Sequence, residues 1–447
     1  MEKPDVLLIG AARSGIAAAK LLNREGYQVT LTDMKEIPEK EELQQAGIAV
    51  YDGGHPDFLK EKDYAFVVKN PGIPYRAPLV KLFTEKGTPI YTEIEIAYLF
   101  APQFDYAAVT GTDGKTTTVT LLHEMLKKKN PSAVAAGNIG LPLCEAVLES
   151  DGNDTDVALE LSNFQLLGIE KFRPHVSTIT NLAPDHLDYM DSLDAYYRSK
   201  FRIFENQTSG DFFIRNLDDE VIMSYFNDPE KNFFGTPEVT ILDFSLNNPK
   251  ADIHRDETTV WFRNVPLFEI QDLKLVGEFN LGNAMMAASM AYLMGVSVDD
   301  IQSVIQSFPG VEHRIEYVGE KDGVRIYNDS KATNTHSAEA ALSSFNSNLI
   351  LLCGGKNKGI DYTVLKDYDS AVKMCFSFGE IRDIFNSVFT RQESVETMEE
   401  ALDKALEIAK PGDTILLCPA TSSFDQFKNY EVRGEIFKDL VRERISK

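Results

Sequence analysis

Short aliphatic runs alternate along this chain with stretches of helical spacing, and polar or glycine-rich turns separate them. Near the N-terminus, an apolar run at residues 6–9 precedes a turn at 10–15, helical spacing over 16–25 and a second apolar run at 28–32. Buried strands that alternate with helices in this way are typical of βαβ units, whose strands are parallel. The opening pattern therefore predicts two strands with a helix between them.

The same alternation continues to the C-terminus. It predicts further strands at 65–69, 157–161, 176–180, 324–327, 348–352 and 414–417, a helix over 280–293 and an exposed, basic helix over 196–202. Proline-containing turns at 101–103 and 308–310 interrupt the pattern. We therefore predict an α/β protein of three domains. These are a Rossmann-like domain (1–101), a central domain of the P-loop ATPase type with a mostly parallel sheet (102–308), and a C-terminal Rossmann-like α/β domain (309–447).

The clearest candidate chemistry lies between an apolar run and a helix, at Thr110-Gly-Thr-Asp-Gly-Lys-Thr116. Glycines let the backbone approach an anion closely, and N–H groups at the start of a helix point towards it. Lys115 is placed to reach the terminal phosphates of a nucleotide, and the Thr116 hydroxyl to bind Mg²⁺. Val109 replaces the first glycine of the usual phosphate loop, so this loop is a shortened form. It predicts an ATP site at Gly111, Thr112, Asp113, Gly114, Lys115, Thr116 and Thr117.

Asp113 is unusual in such a loop because its charge has the same sign as the phosphates. A carboxylate about 5 Å from a phosphate oxygen costs on the order of 3 kcal/mol at an effective dielectric constant of 20. Short acidic side chains are favoured at helix N-termini. We therefore expect Asp113 to cap the following helix rather than to bind the metal.

Polar residues also follow two strands of the central segment. Glu160 lies near the end of one strand, and Asn181 and His186 follow the next. The carboxyl ends of neighbouring parallel strands meet at one edge of a sheet, beside the phosphate loop. Glu160 and His186 are therefore candidate Mg²⁺ ligands, although a histidine in such a loop is often a plain hydrogen-bonding residue. Lys200, taken alone, would be an exposed or salt-bridged lysine.

The N-terminal βαβ unit is a second candidate nucleotide site. Asp33 lies about 20 residues after the glycine turn, where a carboxylate can bind a ribose hydroxyl. Ala12 stands where the dinucleotide fingerprint has its second glycine, and its methyl group hinders a pyrophosphate, which argues against NAD. The turn at 70–72 follows another strand, at the edge where open sheets bind ligands. A Rossmann-like domain that binds nothing stays an alternative.

Composition limits the partners that we expect. The net charge is −24 and no block of Lys and Arg concentrates positive charge, so nucleic acid is not an expected partner. We find no signal-peptide pattern and no apolar run near the ~20 residues of a membrane helix. The four cysteines lie far apart without a C-x-x-C pair. We expect a cytoplasmic, monomeric enzyme that acts on small molecules.

Together the motifs resemble those of the Mur ligases, which add amino acids to the peptide of the cell-wall precursor. They occur in the family's order: the phosphate loop, Glu160-Leu-Ser-x-Phe-Gln165, Asn181 with Asp185-His-Leu-Asp188, His313-Arg314 and Asn328-Asp-Ser-Lys-Ala-Thr-Asn334. The Rossmann-like N-terminus, the turn at 70–74 and the stretch at 419–434 resemble members that add D-glutamate to UDP-N-acetylmuramoyl-L-alanine. The resemblance implies an ATP-dependent reaction through an acyl phosphate, with two Mg²⁺ ions.

The resemblance also implies roles for individual residues. The UDP part of the substrate would lie against Arg13, Ser14, Asp33 and Gly72, with Asn138 and His186 also in the substrate site. Asn280 and Asn283 would bind adenine, and His313, Arg314 and Asp329 the ribose and phosphates. Thr116 and Glu160 would hold one Mg²⁺, while His186 and an Nζ-carboxylated Lys200 would share the second. Lys115, His186 and Lys200 would be catalytic, and D-glutamate would contact Thr333, Lys358, Ser423 and Tyr430.

Two other functions stay open at this point. Folylpolyglutamate synthetase shares the ATP chemistry and also adds glutamate, but it lacks the Rossmann-like domain that residues 1–100 predict. The other alternative is a dinucleotide-binding oxidoreductase or regulatory module whose phosphate loop is unused. Titration with NAD would distinguish that protein from a ligase.

Overall fold

The computed structural model describes residues 4–150, 152–184, 190 and 192–446, apart from the side chain of His336. Within them the chain forms three mostly parallel β-sheets with helices between the strands, which confirms the predicted α/β class. Contacts divide the chain into two compact units. The first runs to Phe268 and includes Asn283–Val304, and the second is Glu269–Gly282 with the chain from Ile305 onwards. The three domain ranges stay predictions.

The first sheet lies in the first unit and is parallel throughout. Its strands are β1 (Asp5–Ile9), β2 (Gln28–Thr32), β3 (Ala49–Tyr51), β4 (Val67–Lys69) and β5 (Ile90–Tyr91), and the helices are α1 (Arg13–Arg24), α2 (Lys40–Gln45), α3 (Phe58–Glu61), α4 (Pro78–Glu85) and α5 (Glu93–Phe100). The order is β3-β2-β1-β4-β5. Because the strand order reverses between β1 and β4, their carboxyl ends border a crevice suited to a ligand.

Helix α1 begins three residues earlier than the sequence pattern predicts. Gly15, interpreted above as part of a turn, lies inside the helix. A Cβ atom at Gly15 would stand 2.0 Å from the Gly10 carbonyl oxygen. The missing side chain therefore lets α1 pass directly over the turn that follows β1.

The second sheet carries the phosphate loop. Its strands are β6 (Asp105–Thr110), β7 (Val134–Gly137), β8 (Asp156–Glu160), β9 (Val176–Ile179), β10 (Phe212–Asn216), β11 (Thr240–Phe244), β12 (Ile253–Arg255), β13 (Thr259–Phe262) and β14 (Val265–Glu269). The order is β14-β13-β12-β11-β10-β9-β6-β8-β7, and the pairs from β7 to β12 are parallel. Strand β6 therefore has β8 on one side and β9 on the other, and the carboxyl ends of all three lie together.

Helices follow the strands of this second sheet. They are α6 (Lys115–Lys129), α7 (Leu143–Glu149), α8 (Asn163–Leu166), α9 (Leu193–Phe201), α10 (Glu220–Asn227), α11 (Glu278–Leu293) and α12 (Val298–Ser307). Helix α9 corresponds to the basic helix predicted at 196–202, but the prediction that it is exposed is wrong. Tyr196, Tyr197, Ser199, Lys200 and Phe201 are all buried. The basic residues gave it the appearance of a surface helix, while its aromatic residues pack into the core.

The third sheet lies in the second unit. Its strands are β15 (Glu316–Lys321), β16 (Val324–Asn328), β17 (Leu349–Gly354), β18 (Val372–Phe378), β19 (Gln392–Ser394) and β20 (Thr414–Leu417), and its helices are α13 (Thr335–Leu342), α14 (Met398–Ile408) and α15 (Tyr430–Ile445). The order is β15-β16-β20-β17-β18-β19, and β15 and β16 form the antiparallel pair. The aliphatic β17 is buried along its whole length, as expected for a central parallel strand.

All eight strands predicted from the sequence are present, and their ends shift by at most two residues. Among the described residues, the helices are either too short or too polar to cross a lipid bilayer.

Candidate active site

The phosphate loop leaves the end of β6 and leads into α6. Gly111 has φ 145° and Gly114 has φ 81°, a region that favours glycine. A Cβ atom on Gly111 would stand 1.9 Å from the hydroxyl of Thr180, the residue after β9, so only a glycine fits at this contact. The first N–H groups of α6 have no partner within the helix and point out of its N-terminus. This arrangement is suited to an anion such as a phosphate.

Asn181 fixes the middle of this loop from the end of β9. Its main-chain oxygen accepts a hydrogen bond from the Thr112 N–H at 3.0 Å. Its side-chain amide makes two hydrogen bonds to the Asp113 backbone, accepting from the N–H at 2.9 Å and donating to the carbonyl oxygen at 3.1 Å. The Thr180 hydroxyl donates to the same Asp113 carbonyl at 2.6 Å. Two loop N–H groups, those of Thr112 and Asp113, are therefore used within the protein.

The expected helix cap at Asp113 is wrong. Gly114 occupies the N-cap position of α6, and no side chain among the described residues caps this helix. The left-handed backbone at Gly114 places Asp113 one residue too early for a cap. The Asp113 side chain is exposed.

Two lysines converge on one carbonyl oxygen of the loop. Lys115 Nζ donates to the Gly111 carbonyl at 2.8 Å and to the Thr112 carbonyl at 2.7 Å. Lys200 Nζ, from α9, donates to the same Gly111 oxygen at 2.8 Å and lies 4.8 Å from the centre of the Tyr196 ring. The two nitrogens are thus no more than about 5.6 Å apart, twice the distance of each from the shared oxygen. Lys200 is 2% exposed, which contradicts its interpretation as a surface lysine.

Glu160 brings a buried carboxylate to the same edge of the sheet. It ends β8 opposite Val109 of β6 and is 1% exposed. Its Oε1 accepts a hydrogen bond from the Asn138 side chain at 2.8 Å. Its Oε2 is buried and has no hydrogen-bond partner among the described residues. A buried carboxylate oxygen without a partner in the described structure, at the edge of the sheet where β6 leads into the phosphate loop, fits a Mg²⁺ ligand. His186, the other predicted ligand, lies outside the described residues.

Thr117 and the two asparagines assigned to adenine lie on helices. Thr117 is buried in the first turn of α6. The Asn283 side chain is buried and its Oδ1 accepts from the Thr118 hydroxyl at 3.4 Å. Asn280 donates from Nδ2 to the Val276 carbonyl at 2.8 Å. Asn283 belongs to the first unit and Asn280 to the second.

The residues predicted to bind UDP lie at the carboxyl edge of the first sheet. Asp33 accepts hydrogen bonds from the Ala11 N–H at 2.7 Å and the Lys35 N–H at 2.8 Å, so its carboxylate also shapes the turn after β1. Asn70, which the sequence placed in the turn at 70–72 without a binding role of its own, donates to the Ser14 hydroxyl at 3.1 Å and accepts from the Gly72 N–H at 3.2 Å. The structure therefore brings Ser14 and Gly72 together through Asn70.

Arg13 connects this edge to the loop that carries Asn138. Its guanidinium pairs with Glu145 at 3.2 Å and donates to the Gly140 carbonyl at 3.1 Å. Asn138 in turn contacts Glu160 through both its main chain and its side chain. Within the first unit, the predicted UDP and magnesium sites are thus joined by one short segment.

In the second unit, Asp329 lies beneath the turn that carries His313 and Arg314. Its Oδ1 accepts from the Ile315 N–H at 3.2 Å, and burial raises the pKa of this carboxyl to about 7. His313 has φ 61° and its ring contacts the Asn328 amide at 3.0 Å. A Cβ atom on Gly434 would stand 2.2 Å from the His313 ring, so a glycine is required there. Arg314 is exposed.

Of the predicted D-glutamate residues, Lys358 and Thr333 contact each other, and Tyr430 contacts His313. Lys358 Nζ donates to the Thr333 carbonyl at 3.3 Å. Tyr430 packs edge-on against His313, with ring centres 6.0 Å apart. Ser423 is 1% exposed, and its hydroxyl has no hydrogen-bond partner within the described part of the chain.

Sequence reasoning missed Arg433, which is fully buried beside these residues. It donates to the Ser330 carbonyl at 2.9 Å and to the Thr421 carbonyl at 3.2 Å, and burial lowers its pKa to about 10. It therefore links the turn after β16 to the turn after β20. An arginine in a charged helix carries no sequence signal that separates this role from a surface position.

Comparison with known proteins gives consistent matches. The Mur ligase middle domain matches residues 109–291, and the Mur ligase glutamate ligase domain matches residues 313–421. The UDP-N-acetylmuramoylalanine–D-glutamate ligases of Geobacillus kaustophilus and Exiguobacterium sibiricum are each 40% identical to this chain. The matches cover 98% of this chain and 97% and 96% of those proteins, respectively. The structure of the UDP-N-acetylmuramate–alanine ligase of Thermotoga maritima is 19% identical, with a TM-score of 0.54 over 99% of this chain and 100% of that one, a likeness of fold.

Proposed function

The chain belongs to the Mur ligase family, and from this premise we propose that it is the ATP-dependent ligase that joins D-glutamate to UDP-N-acetylmuramoyl-L-alanine. The observation that carries the proposal is the 40% identity, over 98% of the chain, to ligases named for this reaction. The reaction is a step in the synthesis of the peptidoglycan precursor. The phosphate loop supports the use of ATP.

The chemistry follows from the charges of the reactants. A carboxylate accepts an amine poorly, so an oxygen of the L-alanine carboxylate first attacks the γ-phosphorus of ATP and ADP leaves. The amine of D-glutamate then attacks the carbon of this acyl phosphate, an amide bond forms, and phosphate and a proton are released. Both steps bring anions together. Lys115, whose ammonium lies at the phosphate loop, supplies a positive charge there.

We propose that Thr116 and Glu160 hold one Mg²⁺. Glu160 supports this because its Oε2 is buried and unpartnered within the described structure, while Asn138 holds Oε1 and so orients the carboxylate. Bound Mg²⁺ neutralises charge on the phosphates. We assign a second ion to Lys200 and His186 by resemblance to the family.

Carboxylation of Lys200 is part of the same proposal. Its support is that Lys200 is buried within about 5.6 Å of Lys115 Nζ, where two ammonium groups repel each other. The nitrogen of the neutral amine bonds to the carbon of CO₂ and releases a proton. The resulting carbamate is an anion, so the repulsion from Lys115 becomes attraction. The same anion is a ligand of the kind that Mg²⁺ prefers.

We assign the remaining contacts by resemblance. Arg13, Ser14, Asp33, Gly72 and Asn138 are proposed for the UDP substrate. The other assigned residues are Asn280, Asn283, Arg314 and Asp329 for ATP, and Thr333, Lys358, Ser423 and Tyr430 for D-glutamate. We further propose that the protein is monomeric and acts in the cytoplasm.

Release of phosphate tests the proposed reaction. We expect it to require ATP, UDP-N-acetylmuramoyl-L-alanine and D-glutamate together, because the first substrate forms the acyl phosphate and the last consumes it. L-Glutamate and lysine serve as matched alternatives to D-glutamate. Equal turnover with L-glutamate would contradict the assignment. Turnover with a folate in place of the UDP substrate would favour folylpolyglutamate synthetase, and NAD binding without phosphate release would favour the oxidoreductase alternative.

A further inference from the structure

Lys69 is a fully buried lysine that the proposed reaction leaves without a role. It is the last residue of β4 and is 0% exposed. Its Nζ donates to the Ile73 carbonyl at 2.9 Å and approaches the Pro71 carbonyl at 3.5 Å. The same nitrogen lies 4.7 Å from the centre of the Tyr75 ring. Among the described residues no carboxylate forms an ion pair with it.

Such a group is costly to bury. An ammonium group loses its hydration in the protein interior, and burial alone lowers the pKa of Lys69 to about 8. Aliphatic side chains occupy the neighbouring strand positions Val67 and Val68. A methionine would fill the same space without this cost, so the value of Lys69 must lie in the hydrogen bonds that its ammonium makes.

Those hydrogen bonds all go to one turn, residues 70–74, at the crevice between β1 and β4. The Asn70 N–H donates to the Ile9 carbonyl at 2.8 Å, which attaches the start of the turn to β1. The Asn70 side chain contacts the Ser14 hydroxyl and the Gly72 N–H. The side of the turn towards Lys69 is thus held by a cation, and the other side carries Gly72 and contacts Ser14.

We propose that Lys69 is a positioning residue for the UDP part of the substrate. By drawing the carbonyls of Pro71 and Ile73 into the core, it fixes the peptide plane of Gly72 at the edge of the crevice. The ligand chemistry is a uridine diphosphate, and this identity rests on the proposed function. Lys69 itself is too deeply buried to touch the ligand, so it acts through the turn.

The test compares Lys69→Met with the matched variant Lys62→Met. Lys62 is 40% exposed and pairs with Asp5 at 2.6 Å, away from the turn. We expect Lys69→Met to raise KM for the UDP substrate about tenfold, as the loss of a charge-assisted hydrogen bond would. KM for ATP and for D-glutamate, and kcat, should stay within about twofold. Lys62→Met should change none of them, and Lys69→Gln, which keeps an N–H donor, should recover part of the loss.

Hydrogen exchange adds a readout that a general loss of stability would not give. In the protein without ligand, Lys69→Met should speed exchange of the amides of Asn70, Gly72 and Ile73 at least several-fold and leave peptides of the second sheet unchanged. Calorimetry with UDP alone measures the affinity without turnover. Unchanged UDP affinity and unchanged exchange at the turn would overturn the proposal, as would faster exchange throughout the unit.

The two proposals can fail separately. If the wild-type protein does not turn over UDP-N-acetylmuramoyl-L-alanine or bind UDP, the proposed function fails. Exchange at residues 70–73 still shows whether Lys69 holds the turn. If the wild type is active and Lys69→Met has the wild-type KM, only the role of Lys69 is wrong.

Discussion

Glu93 gives a stability prediction whose size can be worked out from its surroundings. It lies in α5 and is 2% exposed. Its Oε1 accepts from the Cys144 N–H, whereas its Oε2 is buried without a hydrogen-bond partner in the described structure. Burial raises the pKa of the carboxyl to about 7, from an ordinary value of 4.5. The folded protein therefore keeps the proton of the Glu93 carboxyl up to about pH 7, whereas the unfolded chain loses it near pH 4.5.

The sign of the pH dependence follows from this difference. Between about pH 4.5 and pH 7 the folded state binds more protons than the unfolded state, so stability falls as pH rises through this range. Above pH 7 the folded protein bears the full cost of burying the ionised Glu93 carboxylate. This lowers the free energy of unfolding by roughly 3 kcal/mol, at about 1.4 kcal/mol for each unit of pKa shift. Glu93→Gln carries no charge. We expect it to match the wild type near pH 5 and to exceed its stability by up to about 3 kcal/mol at pH 8.

Urea unfolding at a series of pH values measures the effect. Trp261 is the only tryptophan of the chain and lies in the first unit, so its fluorescence follows the unit that contains Glu93. Glu95 is the matched control, because it is equally buried but accepts hydrogen bonds from three backbone N–H groups at 2.8–3.0 Å. Glu95→Gln should lower stability, because an NH₂ group replaces one of the two oxygens that accept these hydrogen bonds. A Glu93→Gln difference that does not change with pH, or a less stable variant at pH 8, would refute the reasoning.

Three further predictions concern the phosphate loop. Lys115→Ala should cut kcat by roughly 10³-fold because a cation beside the phosphates is lost, and steady-state phosphate release with unchanged thermal unfolding would show it. Lys200→Ala and Lys200→Arg should both lose most activity, and depletion of CO₂ at mildly acidic pH should slow the wild type reversibly; an active Lys200→Arg variant would exclude carboxylation. Asp113→Asn should lower KM for ATP a few-fold, because it removes a negative charge beside the phosphates. The Mg²⁺ concentration that gives the half-maximal rate should not change. A several-fold rise in that concentration would instead show that Asp113 is a metal ligand.

The α/β class could be predicted because each strand is a short aliphatic run bounded by a turn, a local property of the chain. The phosphate loop could be predicted for the same reason, since its glycines, Lys115 and Thr116 are consecutive or nearly so. The burial of α9 could not be predicted, because its basic residues suggest a surface helix and only the packing of its aromatic residues into the core shows otherwise.

Contacts between distant residues were also beyond the sequence. Asn181 and Asp113 are far apart in the chain, and their paired hydrogen bonds depend on β9 lying beside β6. The cap expected at Asp113 failed because the backbone at Gly114 is left-handed, which no local residue preference at Asp113 reveals. Lys69 and Arg433 look like ordinary charged residues until the fold buries them.

The hydrogen bonds from Asn181 to the phosphate loop have a consequence for the kinetics of nucleotide binding. A loop whose peptide groups are already held in place loses little conformational freedom when a phosphate arrives, and the Lys115 side chain is the part that must turn away from the Gly111 carbonyl. Association should then be limited by encounter rather than by ordering of the loop. Substitutions that weaken ATP binding at this loop should act mainly by shortening the lifetime of the bound complex. Asn181→Ala should differ from them, because a loop that must first order itself will also bind ATP more slowly.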